Sequence, residues 1–151
     1  MRYLLYTALL LAACERRDTA RDTPRVDSAP AATPAMSAVA DRLLGTWTAR
    51  GYDAGSTKAQ QFAITWTRAP DGGLVGTIAF QPGATYDVKV VSTSDSMIVY
   101  ESAPHHSPTL KGQVVTRTEA RLVGDSLMGT YEARATEGAK TLKGKFVAKR
   151  G

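Results

Sequence analysis

The chain has 151 residues and a formal net charge of +5, the balance of 19 Lys and Arg against 14 Asp and Glu. This length suits one domain of ordinary size rather than two. The single cysteine, Cys14, excludes a disulfide within the chain. The basic residues are not interleaved with aromatic side chains, which argues against a nucleic-acid partner.

A short apolar segment lies near the start of the sequence. Arg2 supplies a positive charge, and residues 3–13 are apolar except for Thr7 and two tyrosine hydroxyl groups. About 11 residues match the apolar region of a secretory signal, whereas a membrane-spanning helix needs about 20. Small side chains at Ala12 and Ala13 would let the extended backbone enter a peptidase cleft.

The run Leu11-Ala12-Ala13-Cys14 resembles the lipobox of bacterial lipoproteins. The resemblance implies that residues 1–13 are a signal peptide cleaved before Cys14, and that the Cys14 sulfur and its new amine carry lipid. In the enterobacterial pattern an Asp after the cysteine retains the protein at the inner membrane, and this chain has Glu15 there. We therefore expect a lipid-anchored protein of the cell envelope, at the outer membrane and facing the periplasm. An ordinary secretory signal with an incidental cysteine is the alternative.

Residues 14–36 are predicted to form a disordered tether. They contain no aromatic residue, and Val26 is their one branched aliphatic side chain. Such a segment cannot bury enough apolar surface to offset its chain entropy. From Ser37 to Leu44 a capping residue precedes an apolar pattern, which predicts one or two helical turns. We assign the folded domain to residues 37–151.

From Gly45 onward the sequence predicts β-strands, because apolar and polar residues alternate and Gly, Pro, Asp and Ser interrupt them at short intervals. The connections at 70–73, 93–96 and 124–125 are short enough for hairpins. Sequential hairpins without helices between them make a meander, and closure removes exposed edges. The predicted fold is therefore all-β: an eight-stranded antiparallel up-and-down barrel preceded by a short helix. Its strands are predicted at 45–51, 60–68, 74–80, 84–92, 96–103, 112–123, 126–134 and 141–149.

Three of these runs share the pattern Leu-x-Gly-x-apolar, beginning at Leu74, Leu127 and Leu142. Because side chains alternate along a strand, the leucine, the glycine and the final apolar residue share one face, which we predict to be buried. A glycine on that face lets a strand bend or accept a bulky neighbour. The same alternation places four valines on the outer face: Val75, Val115, Val123 and Val147.

Gly45-Thr46-Trp47 follows the predicted helix and resembles the Gly-x-Trp signature of the calycin superfamily, which includes lipocalins, fatty-acid-binding proteins and avidins. The resemblance implies that Trp47 closes the barrel floor beneath a basic side chain of the last strand. Arg150 points to the inner face of that strand and could supply this side chain. The first predicted hairpins look most like those of avidins. Avidins hold biotin with an asparagine where this chain has Ala49, so biotin binding is not expected.

The sequence carries no recognisable catalytic pattern: no nucleophile elbow, phosphate-binding glycine loop or zinc-binding His-Glu helix is found. His105 and His106 are adjacent and flanked by prolines. Structural metal sites need three or four suitably spaced ligands, so we interpret the pair as part of a solvent-exposed loop. We therefore expect no enzyme activity, no cofactor and no metal.

The inward aromatic side chains allow two interpretations. An eight-stranded barrel can be filled by its own side chains, whereas polar interior positions such as Thr116 and Thr118, or a cavity of about 300 Å³ or more, would favour a ligand pocket. The first hypothesis is a barrel that binds a small apolar or amphipathic molecule. The second is a packed barrel that acts through its outer surface, in envelope structure or as an accessory subunit of an unknown protein partner. The candidate ligand-binding residues are Phe62, Trp66, Ile78, Phe80, Tyr86 and Tyr131.

Overall fold

The computed structural model of the chain describes residues 38–81 and 83–151. The expectations for the signal peptide, Cys14, the tether and the capping residue Ser37 lie outside these residues. The described residues form one helix, α1 (Ala38–Leu43), followed by nine strand segments. The segments are β1 (Gly45–Asp53), β2 (Gln60–Arg68), β3 (Leu74–Phe80), β4 (Thr85–Thr93), β5 (Met97–Ser102), β6 (His105–Ser107), β7 (Gly112–Val123), β8 (Ser126–Ala135) and β9 (Thr141–Arg150).

Eight of these described segments close into an antiparallel barrel. Strands β1 to β5 pair in sequence order, β5 pairs with β7, and β7, β8 and β9 lead back to β1. The short β6 pairs with the beginning of β7. The predicted eight-stranded meander is therefore confirmed, and each predicted strand boundary lies within two residues of the observed one.

One segment differs from the prediction. We expected both histidines in a solvent-exposed loop, but His105 belongs to β6, where it pairs with Val114 and is half-buried. The backbone N–H of Ala103 still donates to Asp87 O at 2.8 Å, and Pro104 then interrupts the strand because it has no N–H to donate. After Pro104 the chain returns to the barrel wall, so β5 and β6 form one broken fifth strand. The predicted loop was therefore wrong for both histidines, which lie in β6, whereas the predicted exposure is observed for His106 and not for His105.

The predicted buried face of the Leu-x-Gly-x-apolar runs is present, and its glycines make room for aromatic rings. A Cβ at Gly76 would lie 2.6 Å from the Trp66 ring. A Cβ at Gly144 would lie 2.2 Å from the phenol of Tyr131. Real side chains do not approach so closely, so each aromatic ring packs across a position that only glycine can occupy.

The helix α1 closes one end of the barrel. Val39 and Leu43 are fully buried, and the indole N–H of Trp47 donates to Leu43 O at 2.7 Å. The guanidinium carbon of Arg150 lies 4.8 Å from the centroid of the Trp47 ring. Arg150 also donates to the carbonyl oxygens of Leu44 and Arg42. The first and last strands are thus tied together beneath the helix, and we call this end the floor.

Most of the large, fully buried side chains lie in the half of the barrel nearest the floor. Ile64, Trp66, Ile98 and Leu127 are each no more than 1% exposed. Trp66, Ile98 and Leu127 lie toward the ends of β2, β5 and β8 that are beside α1, and Ile64 lies at the middle of β2. The core therefore fills the half of the barrel nearest the helix. Within residues 38–81 and 83–151, no helix has the length and apolar character needed to cross a membrane.

Candidate functional site

The end of the barrel opposite the floor contains a cavity. It lies where β1 and β3 finish and where β2 and β4 begin, and its volume is about 660 Å³. The connections 54–59, 81–84 and 108–111 contribute residues to its rim. Small-molecule sites commonly have volumes of roughly 300–1,000 Å³, so this space is large enough for a ligand. The barrel's own side chains do not fill this end.

Five rings lining the cavity form a continuous series, which we call the aromatic arc. Phe62 lies 5.9 Å from Phe146 and 5.2 Å from Phe80, measured between ring centroids. Phe80 lies 5.9 Å from Tyr86, and Tyr86 stacks on His105 at 3.8 Å. The arc offers a ligand a broad apolar surface of ring faces and edges. Its members are Phe146, Phe62, Phe80, Tyr86 and His105.

Strand register explains why these rings meet. Phe62 pairs directly with Phe80 across β2 and β3, and both side chains point into the barrel. Phe62 also leans over Gly51, where an added Cβ would lie 3.0 Å from its ring. Because Gly51 pairs with Phe146 on β9, the absence of a side chain at Gly51 lets the two phenylalanines approach across β1.

A carboxylate lies beside the aromatic arc on the cavity wall. Asp53 is half-buried at the end of β1 and accepts hydrogen bonds from the Tyr131 hydroxyl at 2.6 Å and from Gln60 Nε2 at 3.1 Å. Each carboxylate oxygen receives one of these bonds. Burial, and then the bond and the charge of Asp53, raise the pKa of Tyr131, so its proton stays on the phenol. All three residues line the cavity.

The β5 and β7 side of the cavity is more polar. Thr116 and Thr118, which the sequence analysis named as polar interior positions, both line it, and Thr118 is 3% exposed. Tyr100 is fully buried beside them, and burial raises the pKa of its phenol, against the opposing effect of the Thr118 side chain. These hydroxyl groups are uncharged donors and acceptors at neutral pH.

His105 closes the aromatic arc at β6. Its Nδ1 lies 3.1 Å from Ala103 O and 3.2 Å from Ser102 Oγ, which itself accepts the backbone N–H of Thr116 at 2.9 Å. Burial lowers the pKa of His105, which favours the neutral ring at neutral pH. In the described part of the chain, no group of three His, Cys, Asp or Glu residues is placed to hold a metal ion.

The structure brings together five of the six candidate ligand-binding residues. Phe62, Ile78, Phe80, Tyr86 and Tyr131 line the cavity. Trp66 does not, because it lies deeper, is 1% exposed and packs edge-on against Tyr100 with ring centroids 5.1 Å apart. Its indole N–H is buried without a hydrogen-bond partner among the described residues.

Among the cavity-lining residues that sequence reasoning missed are four with polar or aromatic side chains: Asp53, Gln60, Tyr100 and His105. Asp53 has the same parity as Trp47, but the first strand was predicted to end at residue 51. Gln60 points to the same face of its strand as Phe62, but the candidate residues were chosen mainly among inward aromatic side chains, so Gln60 was not predicted. The flanking prolines concealed the strand character of His105. A search of the predicted strands for inward polar residues would have found Gln60, and it would have found Asp53 only with the first strand extended by two residues.

Comparison of this chain with protein-family models, with curated proteins and with solved structures finds no match. The cavity combines a surface of aromatic rings with an oriented carboxylate and several hydroxyl groups. That combination suits reversible binding of a small molecule that has an apolar body and a polar end.

Proposed function

We propose that this protein is a lipid-anchored envelope protein that binds a small apolar or amphipathic molecule inside its barrel. The observation that carries the proposal is the cavity of about 660 Å³ lined by the aromatic arc. Burial of aromatic and aliphatic surface against a ligand supplies roughly 25 cal/mol for each Å² removed from water. The closed floor and the open opposite end give the barrel one route of entry.

We further propose that the domain is calycin-like. A short helix precedes the first strand, the barrel is an antiparallel meander, and a basic side chain of the last strand covers a tryptophan of the first. These features accord with the resemblance of Gly45-Thr46-Trp47. The proposal extends to a binding role of the barrel interior, and not to biotin, because Ala49 stands at the position of the biotin-holding asparagine.

Native mass spectrometry tests the binding role. The protein without its first 14 residues keeps every described element and can be exported to the periplasm of an expression host behind a cleavable signal. We expect a bound mass that leaves on denaturation. Phe80→Gln should reduce its occupancy because it interrupts the aromatic arc, whereas Val75→Gln, at an outward residue that is 43% exposed, should not. A protein that stays unliganded after incubation with a panel of lipids and apolar small molecules would contradict the proposal.

The anchor rests on Leu11-Ala12-Ala13-Cys14 and is tested separately with the full chain. In a bacterium with two membranes we expect labelled palmitate to be incorporated, and Cys14→Ser to abolish both labelling and membrane fractionation. Ser28→Ala should change neither. Glu15→Asp should move the protein from the outer to the inner membrane fraction. Membrane binding that survives Cys14→Ser would show that the anchor is wrongly assigned.

A second candidate function uses the outer surface of the barrel. Met128 and Val147 are adjacent partners on β8 and β9, and they are 47% and 42% exposed. Arg121 pairs with Met128 and Arg50 pairs with Val147, so the two arginines flank the apolar pair in the same row of the sheet. An exposed apolar pair between basic side chains suits contact with a protein partner.

Photo-crosslinking in intact cells tests this second candidate. A photo-reactive residue at position 128 should give a discrete cross-linked species. The matched control is position 91, because Val91 on β4 is 48% exposed and so offers the probe the same access to solvent. Equal cross-linking patterns at the two positions would remove the argument for a specific outer contact.

A further inference from the structure

The cavity wall carries one negative charge that its surroundings do not neutralise. Among the described residues that line the cavity, Asp53 is the only carboxylate. No ion pair within residues 38–81 and 83–151 includes it. Lys58 belongs to the rim, where it is exposed. The carboxylate is therefore held in position by neutral donors alone.

We propose that the cavity selects an amphipathic ligand whose polar end is a protonated amine, which binds at Asp53 while its apolar part lies along the aromatic arc. This inference rests on the proposed binding function and names the class of ligand.

The hydrogen bonding of Asp53 leaves capacity for such a ligand. Tyr131 and Gln60 donate one bond to each carboxylate oxygen. A carboxylate offers about four lone-pair sites, so about two remain. The two protein donors fix the direction of the group without cancelling its charge. An ammonium group can then make charge-assisted hydrogen bonds, which are roughly twice as strong as neutral ones.

The aromatic arc favours the same charge. The faces of phenylalanine and tyrosine rings carry negative potential and attract cations placed within about 6 Å of the ring centroid. Phe62 and Phe146 sit next to Gly51 on the strand that carries Asp53, two residues away from it. An anionic headgroup, such as the carboxylate of a fatty acid, would meet the negative charge of Asp53 and be disfavoured.

Isothermal titration calorimetry with three ligands of one chain length tests the inference. The probes are dodecylamine, dodecanol and dodecanoate, each below its aggregation concentration, titrated into residues 15–151. We expect dodecylamine to bind roughly 10- to 100-fold more tightly than dodecanol, which is the range expected for a hydrogen bond to a charged group. Dodecanoate should bind most weakly.

The variant Asp53→Asn keeps the size of the side chain and removes its charge. It should weaken dodecylamine binding by about tenfold or more and leave dodecanol binding within about twofold. Asp87→Asn is the matched control, because Asp87 is exposed on the outer face of β4 and does not line the cavity. It should leave both affinities unchanged.

The outcomes separate this inference from the proposed function. If dodecanol or dodecanoate binds as tightly as dodecylamine, the amine preference is wrong while binding in the barrel stands. If none of the three binds, the proposed function fails with it. Should Asp53→Asn not fold, the comparison of the three ligands on the unmodified sequence still decides the question.

Discussion

The ring of His105 stacks on that of Tyr86, with centroids 3.8 Å apart and an interplanar angle of 13°. The contact joins the broken fifth strand to β4 and completes the aromatic arc. It is possible because Pro104 interrupts the strand and the chain then resumes pairing with β7. A histidine that sequence reasoning assigned to a solvent-exposed loop is therefore a wall residue of the cavity.

His105 should make stability depend on pH. Burial lowers its pKa, so the unfolded chain, with an ordinary value near 6.5, binds this proton more readily than the folded protein does. The contribution of His105 is complete above about pH 6.5 and is lost as the pH falls below that value. We expect the midpoint of thermal unfolding to drop between about pH 7 and pH 5. His105→Gln should reduce the drop, whereas the exposed His106→Gln should not. A variant of His105 with the full drop would contradict the assignment.

Arg150 should stabilise the floor of the barrel. Arg150→Gln removes the guanidinium from the Trp47 ring and its hydrogen bond to Leu44 O at 2.8 Å. We expect the free energy of unfolding to fall by about 1–3 kcal/mol, measured by urea denaturation. Lys149→Gln is the control, because Lys149 is exposed on the opposite face of β9, and it should change stability by less than about 0.5 kcal/mol. Equal losses in the two variants would exclude a specific role for Arg150.

The two tryptophans should respond differently to replacement by phenylalanine. Trp47→Phe loses a hydrogen bond of 2.7 Å and leaves Leu43 O without that donor. Trp66→Phe instead removes a buried N–H that has no partner among the described residues, which relieves a penalty of about 1–3 kcal/mol against the lost packing. We expect Trp66→Phe to lie within about 1 kcal/mol of the unmodified protein and Trp47→Phe to be at least about 2 kcal/mol less stable. Chemical denaturation followed by circular dichroism measures both, and the reverse order would be inconsistent with these contacts.

Gly144 should be required for the position of Tyr131. In Gly144→Ala the new methyl group would lie 2.2 Å from the Tyr131 phenol and 2.5 Å from the backbone oxygen of Tyr52. We expect a loss of about 1–3 kcal/mol in stability and weaker binding at the cavity, because Tyr131 can no longer hold Asp53. Calorimetry with dodecylamine measures the second effect. Gly112→Ala has no neighbouring atom within 4 Å of the new Cβ and should change neither quantity adversely. Undiminished stability and binding in Gly144→Ala would show that Tyr131 adapts at no cost.

Alternation of apolar and polar residues was sufficient to predict the fold. Each hairpin is local in sequence, and the glycine of each Leu-x-Gly-x-apolar run marks an inward position, so the eight strands and their faces follow from period-two patterning. The short β6 was not predictable in the same way. Three residues between prolines give too short a pattern to identify, and the pairing of β6 with β7 depends on a partner strand rather than on its own sequence.

The cavity itself could not be predicted from alternation. Alternation along a strand shows which side chains point to the interior. Whether those side chains contact one another depends on the barrel radius and on the position of each residue along the barrel axis. Trp66 and Phe62 have the same parity on β2, yet Trp66 is packed near the floor and Phe62 lines the cavity. The two residues are four positions apart, which is two repeats of the pleat along the strand axis. This separation becomes meaningful only when the packed end of the barrel is known.

The pairing of β1 with β9 has a consequence for the time course of folding. Trp47 is aligned with Arg150 across that pair, so the contact that closes the barrel joins segments separated by most of the domain. Hairpins can form one after another along the chain, but the ring cannot close until β9 is available to pair with β1. All-β folds, whose strand pairings are less local than the contacts of helices, fold over milliseconds to seconds. Until the barrel closes, the edges of β1 and β9 that will pair have unpaired backbone groups. A chaperone that binds the chain at this stage would therefore bind exposed strand edges and not a closed barrel.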